Sequence, residues 1–253
     1  FILSAIKGSK WNGHYYALPF IADCTEIFYN VDAFKKAGLE TPNQYYKKGK
    51  WTWNTLLEIA KKLNNPPAMY ALSTCAHPYW TGCFILQSLP TGNFLWDSKG
   101  NLLIDSPEGR RGFRFLLDLF HKYKVIALPS PQADYAEATR TFAVGRSAMG
   151  ILGTWDIKLI KNVNPNLNFA AALMPFGPGG NNSTEMSINT LAIGANSKHP
   201  DLAWELLKGM LADDIIIKWT KEGYRNMSTK AWAEDPFVQN DPFLRIYAIG
   251  LKN

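Results

Sequence analysis

Cysteine and histidine are scarce in this sequence, with three and four copies among 253 residues. Cys24, Cys75 and Cys83 form no CxxC pair, and the histidines show no HxxxH-type spacing beside carboxylates. A zinc or other metal centre is therefore not expected. Three thiols allow one disulfide at most, which leaves at least one thiol over or paired outside the chain. No uninterrupted apolar run is long enough to cross a bilayer. No self-evident catalytic motif is present, and nothing calls for a cofactor. Internal repeats and low-complexity tracts are also missing. The sequence opens on Phe1, without an initiating Met, a signal peptide or a lipoprotein cysteine. The N-terminus is accordingly expected to be processed, truncated or incompletely represented.

What is present describes a folded α/β protein. Hydrophobic residues make up 47% of the chain and charged residues 19%. A compact chain of this length buries roughly 70–75% of its unfolded surface. Lysine and arginine outnumber acids by 27 to 21, a formal charge of +6. The densest clusters, Lys47-Lys48-Gly49-Lys50 and Arg110-Arg111 with Arg114, lie among acids and read as solvated surface. Nucleic acid is not an expected partner. Aromatic residues reach 13%, nine of them tryptophan, which is more than a core of this size needs. Most should be core, and a minority should line a binding site, where flat amphipathic rings are useful.

Helical and strand signals alternate along the chain. Residues 15–19 and 25–29 read as strands. Residues 32–37 read as a short helix stopped by Gly38. Thr52 can cap a helix carrying Leu56, Leu57, Ile59, Ala60 and Leu63 at helical spacing. Ser106-Pro107-Glu108 opens another, with Phe113, Leu116, Leu117 and Phe120 as its expected buried face. A helix over 135–142, a strand over 147–152, a loop over 175–183 and a strand over 191–194 follow. Two helices in series, 200–211 and 213–222, close the pattern, and Gly223 ends the second.

Three ordered blocks resemble the bacterial and archaeal extracellular solute-binding proteins that include maltose-binding protein. The first runs from Tyr16-Ala17-Leu18-Pro19-Phe20 through Asp23, Ile27-Phe28-Tyr29-Asn30 and Asp32 to Gly38-Leu39, and on through Thr41-Pro42 to Trp51-Thr52-Trp53, interrupted by a lysine-rich insertion near 43–50. The second is Phe142-Ala143-Val144-Gly145-Arg146-Ser147-Ala148-Met149 with Gly153-Thr154-Trp155. The third is Leu191-Ala192-Ile193 with Ser197-Lys198-His199-Pro200 and Ala203-Trp204-Glu205-Leu206-Leu207. The resemblance implies a two-lobed α/β fold of the periplasmic-binding-protein type, class II, with ligand held between lobes. It implies residues 1–23 as the end of a first N-lobe segment, 24–188 as the C lobe and 189–253 as a second N-lobe segment. On this mapping the N lobe is incomplete, and apolar surface that it would cover is expected to be exposed.

The same resemblance implies ligand-binding roles. Asp23, at the crossing between lobes, can accept two charge-assisted hydrogen bonds from sugar hydroxyls, or it can pin the hinge instead. Trp155 corresponds to a tryptophan that stacks on a sugar ring. Burying about 60 Å² of a pyranose C–H face there contributes roughly 1.5 kcal/mol at about 25 cal/mol per Å², and a core role is the alternative. Tyr79 and Trp80 fall where the family supplies a second aromatic wall. Glu185 and Ser187 lie on the return crossing, where Met186-Ser187-Ile188 replaces the family's glycines. Arg225 sits near a family arginine, with a surface role as its alternative. The pairs Tyr15-Tyr16 and Tyr45-Tyr46 fit ferric iron poorly, because strand neighbours point to opposite faces and the second pair lies in the insertion.

The expected function is reversible carbohydrate binding, followed by delivery to the permease subunits of an ABC importer in the membrane. The expected location is the periplasm or the cell exterior, free or lipoprotein-anchored. A polyol, glycerol phosphate or polyamine is the alternative solute. A glycosidase would need two carboxylates about 5–10 Å apart across a cleft, and an adhesive protein would show no ligand response.

Overall fold

The computed structural model describes residues 1–75, 77–90, 96–97, 99–127, 135–223 and 225–250, with Pro78 and Tyr79 described by backbone alone. The chain divides into two compact units, one formed by Phe1–Cys24 with Met186–Asn253, the other by the continuous stretch Thr25–Glu185.

The Thr25–Glu185 unit is built on a five-stranded mixed sheet in the order Ile126–Ala127, Tyr70–Ser73, Ser147–Leu152, Glu26–Asn30, Phe169–Ala172. Tyr70–Ser73 runs parallel to both of its neighbours, while Glu26–Asn30 is antiparallel to Ser147–Leu152 and Phe169–Ala172. Every residue of Ser147–Leu152 is buried, as a strand covered on both faces requires. Helices pack on the sheet through short caps. Thr52 accepts the backbone N–H of Thr55 and starts Trp53–Leu63, whose Trp53, Leu56, Ile59, Ala60 and Leu63 are buried. Ser106 does the same for Pro107–Leu117 through the Gly109 N–H. Gly38 ends the short helix Val31–Lys36 two residues on, with φ at +65°, a conformation glycine adopts without strain.

Two readings of this unit differ from expectation. Phe113 is 48% exposed, and the buried face of Pro107–Leu117 is Gly109, Gly112 and Leu116. A side-chain carbon at Gly112 would sit 2.4 Å from the Phe84 carbonyl oxygen, so the helix is drawn in by its glycines rather than by Phe113. The lysine-rich insertion forms the helix Pro42–Lys47, opened by a capping box between Thr41 and Gln44. Its Tyr45 and Tyr46 pack against the core, Tyr46 stacking on Phe176 with centroids 6.1 Å apart.

The other unit centres on a two-stranded antiparallel sheet, Leu18–Cys24 with Met186–Leu191. The second strand thus precedes the expected 191–194, and the first begins at Leu18 rather than at 15. Tyr15 and Tyr16 are 58% and 65% exposed beside a two-residue hairpin ladder, Lys10–Trp11 with His14–Tyr15. The helices Pro200–Met210 and Asp213–Gly223 fall where the sequence places them. Pro200–Met210 buries only Leu207 and leaves Leu202, Trp204 and Leu206 exposed. Among the described residues, Cys24, Cys75 and Cys83 are all buried.

Candidate functional site

In the discontinuous unit, strand pairing brings three candidates together. Asp23 is the register partner of Ser187 across the two-stranded sheet. Arg225 lies beside Asn226 and Met227, which bond along the other edge of Leu18–Cys24 through the Ala22 N–H to Asn226 carbonyl contact and the Ile21–Met227 bridge. From there the Arg225 guanidinium donates to Asp23 Oδ2 at 3.0 Å. Asp23 is 6% exposed, whereas the Arg225 side chain keeps 38% of its surface open. A carboxylate held by a fork-shaped cation presents both acceptors and donors, the groups that recognise hydroxyls.

In the Thr25–Glu185 unit the second set is aromatic. Trp155 lies in the single 3-10 turn Thr154–Asp156 that leaves the strand Ser147–Leu152. Its indole folds back onto Gly153, where a side-chain carbon would lie 2.2 Å from the ring, so only glycine leaves room for it. Trp80, on the short helix Pro78–Thr81, and Trp155 are both half-buried. The side chain of Tyr79 lies outside the described residues.

The ring that joins the two tryptophans is Tyr135, which the sequence suggested only as the start of a helix. Its centroid is 4.7 Å from that of Trp80 and 6.3 Å from that of Trp155. The phenol donates to Asp156 Oδ2. Burial, then the negative charge of Asp156, push the Tyr135 hydroxyl well above its ordinary range, so it stays a neutral donor. Asp156 is 2% exposed and also accepts from the Thr139 hydroxyl and the Gly153 N–H, each at 2.9 Å. The signal that could have exposed this network is an acid placed directly after the Gly-Thr-Trp turn, where an exposed loop has no need of one.

Glu185 ends this unit. Among the described residues its buried Oε2 has no hydrogen-bond partner, and burial pushes its carboxyl up to about 8. Glu26 is buried as well and is likewise pushed up, the Met174 N–H offsetting part of the cost at 2.7 Å. Burial and the negative charge of Glu185 in turn raise the Cys83 thiol. Next to Glu185, the Thr184 hydroxyl meets that of Thr25 at 3.0 Å. Among the described residues no cluster of three or more His, Cys, Asp or Glu is arranged to hold a metal.

A family described as bacterial extracellular solute-binding protein matches residues 2–215. A maltotriose-binding protein from Pyrococcus abyssi is 27% identical over 97% of this chain and 51% of its own length. Among solved structures, a maltose-bound MalE3 from T. maritima superposes with a TM-score of 0.82 at 23% identity, over 100% of this chain and 64% of that one. A cyclo/maltodextrin-binding protein with maltotetraose gives 0.78 at 24% identity, over 100% and 62%. At these identities the structural likeness establishes the fold, the mixed α/β architecture of MalE-like periplasmic binding proteins. The chain spans about half the length of the sequence relative and under two thirds of the solved ones.

Proposed function

Because the chain belongs to the bacterial extracellular solute-binding protein family, we propose that it binds a neutral carbohydrate reversibly and passes it to the permease subunits of a membrane ABC importer. The reading places the protein in the periplasm or at the cell exterior, free or lipoprotein-anchored, and assigns it binding rather than turnover. It is supported most directly by Trp155, a half-buried indole fixed by Gly153 and set beside Tyr135, which Trp80 contacts in turn. Apolar ring faces of this kind suit the C–H face of a pyranose, while the Asp23–Arg225 pair suits hydroxyls. Relatives named for maltotriose and maltose support an oligosaccharide as ligand. Glu185 and Ser187 are assigned supporting polar contacts.

The test is calorimetric titration of the protein with maltotriose, maltose and unrelated oligosaccharides. Trp155→Ala removes a stacking surface worth roughly 1.5 kcal/mol, and affinity is expected to fall about tenfold with the fold intact by circular dichroism. Unchanged affinity would remove Trp155 from the site. Release of glucose from maltotriose, abolished by Asp23→Asn, would show an enzyme instead.

A further inference from the structure

We propose that Asp156 is a positioning residue that locks Tyr135 and Trp155 into one preorganised aromatic wall and thereby sets saccharide affinity. The inference rests on the carbohydrate-binding reading and goes beyond it, because Asp156 itself is 2% exposed and acts through its neighbours. Among the described residues, donors converge on its carboxylate from two parts of the chain. The Tyr135 and Thr139 hydroxyls come from the helix Tyr135–Ala143, and the Gly153 N–H comes from the exit of the strand Ser147–Leu152. Hydrogen bonds to an ionised acceptor are stronger than neutral ones. They tie the helix that carries Tyr135 to the turn that carries Trp155. Trp80 leans on Tyr135 at 4.7 Å, so the constraint reaches a third ring.

The physical consequence concerns entropy. An indole on a turn that samples several rotamers loses that freedom when a sugar stacks on it, at about 0.5–1.5 kcal/mol per side chain. Here the freedom is already removed. Gly153 closes one side of the Trp155 ring, and the Asp156 network fixes the backbone on which the ring stands. Tyr135 is restrained by ring contacts with Trp155 and Trp80 and by its own bond to Asp156.

The experiment uses the protein labelled with 5-fluorotryptophan, the Trp155 resonance being assigned by its loss in Trp155→Phe. Asp156→Asn is expected to shift and broaden that resonance in the ligand-free protein, and to weaken maltotriose binding about tenfold by calorimetry. Tyr135→Phe, which keeps the ring and drops one tether, is expected to weaken binding about threefold, and it carries the test if Asp156→Asn folds poorly. Much of the loss from Asp156→Asn should disappear in a Trp155→Ala background, since the carboxylate acts in large part through that ring. Additive losses, or an unchanged Trp155 resonance, overturn the positioning role. If the unsubstituted protein binds no saccharide, the carbohydrate reading fails by itself, and the ligand-free resonance still decides the part played by Asp156.

Discussion

Trp51→Ala is expected to lower stability by about 4 kcal/mol, the range for emptying a buried tryptophan site. Trp51 is 1% exposed within the cluster that includes Ile27, Leu56, Ile59 and Met174. Its indole N–H donates to the Leu173 carbonyl at 2.8 Å, and its own carbonyl accepts from the Phe176 N–H at 2.9 Å. Alanine keeps the second bond and loses the first, leaving a buried carbonyl short of a donor inside a new cavity. With a denaturation slope of about 2 kcal/mol per molar urea, the midpoint should fall by about 2 M. Trp51→Phe, which refills most of the volume without the N–H, should recover about half of the loss. A midpoint that moves by less than a quarter of the expected amount would mean that Trp51 does not stand in this core.

The second large effect depends on pH. The Glu185 carboxyl titrates near 8 in the folded unit against 4.5 for a free side chain. Between those values the folded state holds a proton that the unfolded state has released. Stability is therefore complete below pH 4.5 and falls as pH rises toward 8. Glu185→Gln keeps the shape of the protonated acid and removes the titration. Each unit of raised pKa corresponds to about 1.4 kcal/mol. Local relaxation around this half-buried residue shrinks the sum, and the variant should be about 2 kcal/mol more stable than the parent at pH 8. At pH 4 the two should match. Glu26 adds a slope of the same sign in both proteins, so the variant flattens the pH profile without levelling it. A variant that is equally stable at pH 8 would place the Glu185 carboxyl in water.

The same residues explain which features could be read from the sequence. The strand Ser147–Leu152 and the capped helices Trp53–Leu63 and Pro107–Leu117 were legible because apolar runs and cap residues act locally. The strand Met186–Leu191 was not, since it is mixed in polarity and only half-buried, and the apolar Leu191-Ala192-Ile193 beside it gave the stronger signal. Of the expected buried face of Pro107–Leu117 and its continuation, Leu116 and Phe120 are buried and Phe113 is not, because Gly109 and Gly112 allow close approach without contributing hydrophobicity. Asp23 and Trp155 stood in motifs, whereas the Arg225 contact to Asp23 spans the chain and follows only from strand pairing. Tyr135 and Asp156 were missed for a related reason. Neither carries a motif, and their meeting requires a helix and a strand exit to be folded together.

The order of the two units along the chain governs how each one can be made. Thr25–Glu185 is continuous, and the hydroxyls of Thr25 and Thr184 lie 3.0 Å apart, so its entrance and exit are already joined. A ribosome delivers all of it before the strand Met186–Leu191 appears, while Leu18–Cys24 waits unpaired for that strand. Closing a long disordered loop costs entropy that grows with the logarithm of its length. Once the inserted unit has folded, the ends of that loop are tethered, and it acts as a short linker. Vectorial synthesis then sets the sequence of events, with the continuous unit first, the pairing of Leu18–Cys24 with Met186–Leu191 after it, and the contacts to Asn226 and Met227 later still.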